Sequence, residues 1–230
     1  MVRSMTDRTA RGETRQLALP IDAAPSYTAV DFIDDASNAQ ARGFLARPDA
    51  WPEARLALHG PADAGKTHLA RIIAAARGWA WVRGDALRGL PPPPLSGTVI
   101  DDADLVPEPA ALFHAINAAR EAGLPLLLIG RAAPSRWHAG PADLVSRLRA
   151  TTATEIGAPT DALLMALLVK HLADRQLAVA PALQSLLLAH LPRSASAIAR
   201  AAALLDAAAL ATGRLNRATV LAVLRDNFEE

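Results

Sequence analysis

At 230 residues, with 51% hydrophobic and 20% charged side chains, the chain can bury a core and is not a disordered polypeptide. A net charge of +1 argues against a strongly basic nucleic-acid face, and the lack of cysteine excludes disulfides, cysteine-based zinc sites and thiol catalysis. No apolar stretch follows the basic N-terminus, and apolar runs such as 163–169 fall short of a bilayer, so a cytoplasmic protein with no membrane attachment is expected.

Residues 1–15 are polar and aperiodic and open a flexible tail spanning 1–24. Inside that tail stands a compact apolar patch, Gln16-Leu17-Ala18-Leu19-Pro20-Ile21. It is either a strand at the core edge or an extended peptide for a partner's groove; Pro20 and Pro25 oppose a regular element. A short helix is expected over 37–46, capped by Ser37 or Asn38, and then a loop over 48–52.

Residues 55–59 read as a buried strand and 66–77 as a helix stopped by Gly78. Between them lies Gly60-Pro61-Ala62-Asp63-Ala64-Gly65-Lys66-Thr67, a match to the phosphate-loop pattern G-x-x-x-x-G-K-[ST]. Strand, glycine turn and helix N-terminus are what phosphate binding needs: inward N–H groups and the positive end of a helix dipole. Lys66 is expected to reach the β- and γ-phosphates, and Thr67 to offer its hydroxyl to Mg²⁺. A glycine turn with a chance lysine is the plain alternative, which the matching flanks disfavour.

Further strands are expected over 79–82, 97–102 and 126–129, with an extended proline linker at 91–94 and a helix over 109–122 closed by Gly123. Alternating strands and helices predict an α/β fold with a parallel sheet over 25–158. From 159 the strand signals vanish. Helical spacing over 163–172, 181–190, 194–211 and 217–226 predicts a small all-α domain, with the boundary near Gly157-Ala158-Pro159. Asp101 and Asp102 close a buried strand, which puts them at the carboxyl edge of the sheet, where ligands bind in open α/β folds. The first is expected to hold Mg²⁺ beside Thr67, and the second to polarise a water; solvated acids at a strand end are the alternative. Asp104 is placed on the surface. His68, His114 and His138 have no metal-ligating company, and Trp79 and Trp81 are expected in and around the core.

Together these features resemble the AAA+ ATPases, and within them the clade of the replication initiator DnaA. The run Tyr27-Thr28-Ala29-Val30-Asp31-Phe32-Ile33, followed by Ser37-Asn38, is similar to the segment lining the adenine pocket in that clade. The strand end Asp101-Asp102 is of the DnaA type, Leu144-Val145-Ser146-Arg147-Leu148 resembles the box carrying an arginine finger, and Pro159-Thr160-Asp161 resembles the start of a helical lid. The resemblance implies an AAA+ P-loop core with a lid and ADP or ATP with Mg²⁺ as ligand. Its implied nucleotide contacts are Gly60, Pro61, Ala62, Asp63, Ala64, Gly65, Lys66, Thr67, His68, Phe32 and Ile33. Gln16, Leu17, Leu19 and Pro20 resemble the peptide by which many proteins dock on the bacterial DNA sliding clamp.

The sequence ends after the lid with no basic recognition helix, so direct sequence-specific DNA binding is not expected. The implied role is a regulator that rides the clamp and presents Arg147 to ATP bound on DnaA; homo-oligomers are also expected. Two departures from the family imply slow intrinsic hydrolysis. Gly130 stands where a γ-phosphate-sensing polar residue follows the fourth strand, and Ser196 where a lid arginine is usual. Asp63 adds a negative charge to the phosphate loop. Two other readings stay open: a self-acting DnaA-type ATPase that assembles or loads replication factors, and a nucleotide-independent adaptor.

Overall fold

The computed structural model describes residues 27–137, 140–212 and 215–228, so the expectations for residues 16–21 and for His138 lie outside the described residues. Five parallel strands, β1 (Arg55–His59), β2 (Ala80–Arg83), β3 (Thr98–Asp101), β4 (Leu126–Gly130) and β5 (Thr152–Glu155), form one sheet in the order β2-β3-β4-β1-β5. β4 is wholly buried and β1 nearly so, as unbroken apolar runs in the middle of a parallel sheet should be.

Period-two alternation divides the strands between two cores. Leu56, Leu58, Val99, Leu127 and Ile129 pack towards α1 (Ala39–Leu45) and α2 (Lys66–Arg77). Ala57, Ile100, Leu126 and Leu128 pack towards α3 (Pro109–Ala122) and α4 (Ala142–Arg149). Each helix returns the chain to the same edge of the sheet, so every strand's carboxyl end emerges on one side. Gly78 and Gly123 stop α2 and α3 in left-handed conformations, at φ 65° and 66°, where glycine carries no steric penalty.

Beyond β5, α5 (Asp161–Asp174), α6 (Pro181–His190), α7 (Ala195–Thr212) and α8 (Arg217–Phe228) gather round a third core that includes Leu164, Leu168, Leu187, Ile198, Leu205 and Leu224. Thr160 caps α5: its Oγ1 accepts the Leu163 N–H at 3.1 Å. By length and composition alone α7 matches a membrane span, with a mean hydropathy of 1.4, which corrects the sequence expectation that no apolar stretch is long enough. Its alanines let helices approach closely; Ala197 is buried, and Ile198, Ala201, Ala202 and Leu205 lie in the lid core.

Other boundaries also shift. The strand expected over 97–102 covers Thr98–Asp101, because Asp102 turns into the left-handed region at φ 54°. The expected loop at 48–52 holds 3₁₀ turns at Pro48–Ala50 and Pro52–Ala54. The helix expected over 37–46 starts at Ala39, and neither candidate side chain caps it. Asn38 is buried instead, accepting the Asp35 N–H and donating to the Ile33 carbonyl, which pins the segment leading into the helix. β5 had no strand expectation, since Thr-Ala-Thr-Glu carries too few apolar residues to announce one.

Candidate nucleotide site

The loop after β1 supplies the cradle. Gly60, Asp63 and Gly65 take positive φ values of 148°, 59° and 94°, turning successive peptides towards the N-terminus of α2. Gly60 is obligatory on a second ground: a Cβ there would lie 2.1 Å from the Ile156 carbonyl oxygen. Lys66 Nζ donates to the carbonyls of Gly60 at 2.9 Å and Pro61 at 2.7 Å, so its ammonium lies over the mouth of the loop. Burial pushes its pKa down, while the charges of Asp104, Asp102 and Asp101 oppose that shift.

Thr67, in the first turn of α2, donates its hydroxyl towards both Asp101 carboxylate oxygens at 3.3 Å. Asp101 closes β3 and is half-buried; burial first, then the neighbouring Asp102 charge, raises its pKa. A hydroxyl and an ionisable carboxylate converging beside a lysine form a hard, oxygen-only donor set that fits Mg²⁺ carried with a nucleotide. Among the described residues no cluster of three His, Asp or Glu forms a metal site of its own. Asp102 sits exposed just beyond the strand.

Asp104 corrects the sequence reading. It is not a free surface acid: its Oδ2 accepts the Arg131 N–H at 2.9 Å, and its Oδ1 is buried with no hydrogen-bond partner. Its field on Lys66 exceeds those of Asp101 and Asp102. The polar group beside the end of β4 therefore comes from the turn after β3. The spacing Asp101-Asp102-Ala103-Asp104 was the available signal. Gly130 has a steric cause as well: a Cβ there would lie 2.7 Å from the Trp137 ring and 3.2 Å from the Asp104 Cγ. A rigid indole, itself held by an Nε1–H bond to the Ala132 carbonyl, fills that place.

On the other side of the loop the N-terminal segment builds an aromatic wall. The Phe32 ring reaches within 3.4 Å of where a Gly65 Cβ would stand. His68 meets Phe32 and Tyr27 edge-on, with centroids 5.3 Å and 5.5 Å apart, and its Nε2 lies 3.0 Å from the Thr28 carbonyl. Tyr27, Phe32 and His68 thus gather beside the cradle, and the Ile33 carbonyl accepts from Asn38 Nδ2 at 3.0 Å. Flat faces and a ring nitrogen next to a phosphate loop suit a purine.

The lid closes over this side. Thr160 donates to Asp35 at 2.6 Å, and Lys170 pairs with Asp31 at 2.9 Å. Ser196 donates to the Asp63 carboxylate, which therefore faces the lid and not the cradle. The neighbouring cations are engaged elsewhere: Arg193 pairs with Asp161, and Arg200 stacks 5.1 Å from the Phe228 ring.

Arg147 lies far from all of this. It sits in the last turn of α4, half-exposed, with its guanidinium 5.2 Å from the Phe113 ring centroid. Its carbonyl is bonded to Arg55 at the start of β1, while the cradle begins after that strand's end. Five strand residues at about 3.3 Å each put roughly 16 Å between the two edges.

No family model matches the chain, and no curated protein is similar to it. Solved structures are similar in fold. Domain III of the Thermotoga maritima replication initiation protein DnaA superposes with a TM-score of 0.73 at 16% identity, covering 90% of this chain and 99% of that one. AMPPCP-bound DnaA from Aquifex aeolicus gives 0.65 at 18%, covering 80% of this chain and 66% of that one. The Thermotoga maritima RuvB Holliday junction branch migration motor gives 0.66 at 17%, covering 87% and 72%. The fold is that of an AAA+ P-loop module with a helical lid, as in DnaA domain III.

Proposed function

We propose, on the premise of an AAA+ module folded like DnaA domain III, that this chain binds an adenine nucleotide in cis and completes a partner's ATPase site in trans. The cis half rests on the cradle, Lys66, the Thr67–Asp101 pair and the aromatic wall. The structure of Aquifex aeolicus DnaA holds AMPPCP on the same fold, which supports adenine as the base. When bound, Mg²⁺ would supply charge neutralisation between phosphate oxygens, held by Thr67 and Asp101. ADP is the favoured resident. Gly130 offers no side chain beside a third phosphate, Asp104 places a negative field there, and Ser196 brings no cation.

The trans half rests on one observation: Arg147 is at the opposite edge of the sheet from its own phosphate loop, with its guanidinium half-exposed and, among the described residues, in no ion pair. It cannot reach the nucleotide of its own chain, yet a forked, permanently charged donor at a surface suits another molecule's phosphates. With Gln16, Leu17, Leu19 and Pro20 in front, the motif set resembles Hda, the regulatory inactivator of DnaA. In that reading the chain docks on the sliding clamp, presents Arg147 to ATP on DnaA, and so prevents re-initiation.

The test measures hydrolysis of ATP preloaded on DnaA in the presence of clamp-bearing DNA. Arg147→Ala should lower the stimulated rate about 10³-fold while ADP affinity and clamp retention stay at wild-type values. Unchanged stimulation would falsify the trans role. Lys66→Ala should weaken ADP binding about 10- to 100-fold; a variant that neither binds differently nor stimulates differently points to the nucleotide-independent adaptor. Brisk turnover by the isolated protein points to the self-acting ATPase.

A further inference from the structure

The carbonyls in the last turn of a helix lack intrahelical partners, and at the end of α4 a closed side-chain network supplies one. The Arg147 carbonyl accepts from Thr151 Oγ1 at 2.9 Å and from Arg55 Nη2 at 3.2 Å. Arg55 Nε donates in turn to Thr151 Oγ1 at 2.7 Å. All of this is interior: Arg55 is 4% exposed and Thr151 8%.

Stability alone does not account for Arg55. Burial pushes its pKa down, and the like charges of Arg147 and Arg120 act in the same direction, with only Glu53 opposing. Among the described residues no carboxylate forms an ion pair with it. Replacing a buried charge by an apolar side chain of similar volume is often neutral or stabilising. What an apolar residue cannot do is bind two acceptors in one plane, tying the start of β1 to the end of α4.

We propose that Arg55 is a positioning residue for Arg147, holding the last turn of α4 by its carbonyl so that the exposed guanidinium is presented from a fixed mount. This rests on the trans role of Arg147 given above. Two supports then act on one side chain: Arg55 and Thr151 fix its backbone, and the Phe113 face steadies its cation. A finger displaced by about 1 Å loses roughly 10²-fold in rate, so a rigid mount matters more than the bonds' own stability.

The experiment compares Arg55→Met, Arg55→Lys and Thr151→Val with wild type and Arg147→Ala. DnaA preloaded with ATP and clamp-bearing DNA are the probes, this protein is titrated to saturation, and amide hydrogen exchange is followed in α4 and at Thr151. Arg55→Met and Thr151→Val should lower the saturating hydrolysis rate about 10- to 100-fold. The half-saturating concentration and ADP affinity should not move. Arg55→Lys, which keeps the charge but not the fork, should restore only part of the rate. Exchange at 149–151 should speed up in Arg55→Met and Thr151→Val. Wild-type rates in both, or unchanged exchange, overturn the inference. If Arg55→Met fails to fold, the near-isosteric Thr151→Val decides. If Arg147→Ala itself stimulates like wild type, the trans reading falls, and exchange at 149–151 still decides whether Arg55 holds that turn.

Discussion

Asp101 serves two opposed demands. In the proposed role as a Mg²⁺ ligand it must be ionised; as a half-buried group at the end of β3, beside Asp102, it is held above its ordinary pKa of 3.8. For an acid whose pKa is raised by folding, the contribution to stability is full below 3.8 and is lost as the pH rises through the folded value. Once ionised, the carboxylate therefore opposes folding until a cation joins it. Asp101→Asn keeps an acceptor for the Thr67 hydroxyl and removes the charge. The unliganded variant should melt at a higher temperature than wild type, while the extra stabilisation given by ADP with Mg²⁺ should shrink; thermal melts with and without ligand read both. Asp63 shows the same dependence on surroundings. Its charge sits in the phosphate loop, yet its bond to Ser196 turns it to the lid, so the penalty that its sequence position suggests does not fall on the cradle.

Among the elements, α5 depends most clearly on its first residues. The Thr160 hydroxyl caps the helix and donates to Asp35; the Ser37 hydroxyl bond first, and then this one, hold the Asp35 carboxyl below its usual range. Thr160→Ala should cost about 1 kcal/mol through the lost cap, lowering Tm by roughly 2–4 °C for a chain of this size. A drop of that size with unchanged ADP affinity would mean the lid is seated by its other contacts. The strands were readable where they are buried on both faces: β1 and β4 are unbroken apolar runs, and each shows in the chain as such. β5 was not readable. It is an edge strand of Thr, Ala, Thr and Glu, and pairing with β1 makes it a strand although its own residues do not.

For the whole molecule, the lid and the N-terminal segment enclose the cradle through Thr160–Asp35, Lys170–Asp31 and Ser196–Asp63, while Arg147 faces away at the far edge. The cradle and Arg147 therefore lie at opposite edges of the sheet, the arrangement on which the proposed cis and trans roles rest. Residues 16–21 should carry clamp binding independently of both. Gln16→Ala with Leu19→Ala should abolish retention on clamp-loaded DNA, while Tm and ADP affinity stay unchanged; retention at wild-type strength would sink the docking peptide.

The phosphate loop, its flanking strand and helix, the carboxylates after β3 and the helical character beyond residue 159 were all legible in the chain, because each depends on neighbours only a few residues away. Spacing, periodicity and a helix N-terminus are local physics. The placement of Asp104, the filling of Gly130 by Trp137, the turn of Asp63 towards Ser196 and the burial of Arg55 under Arg147 were decided by tertiary structure alone. Each joins segments brought together only when parallel strands align their ends and a separate helical core folds back across them. Which carboxylate neighbours which cation, and which arginine faces outward, depends on that alignment and not on position along the chain.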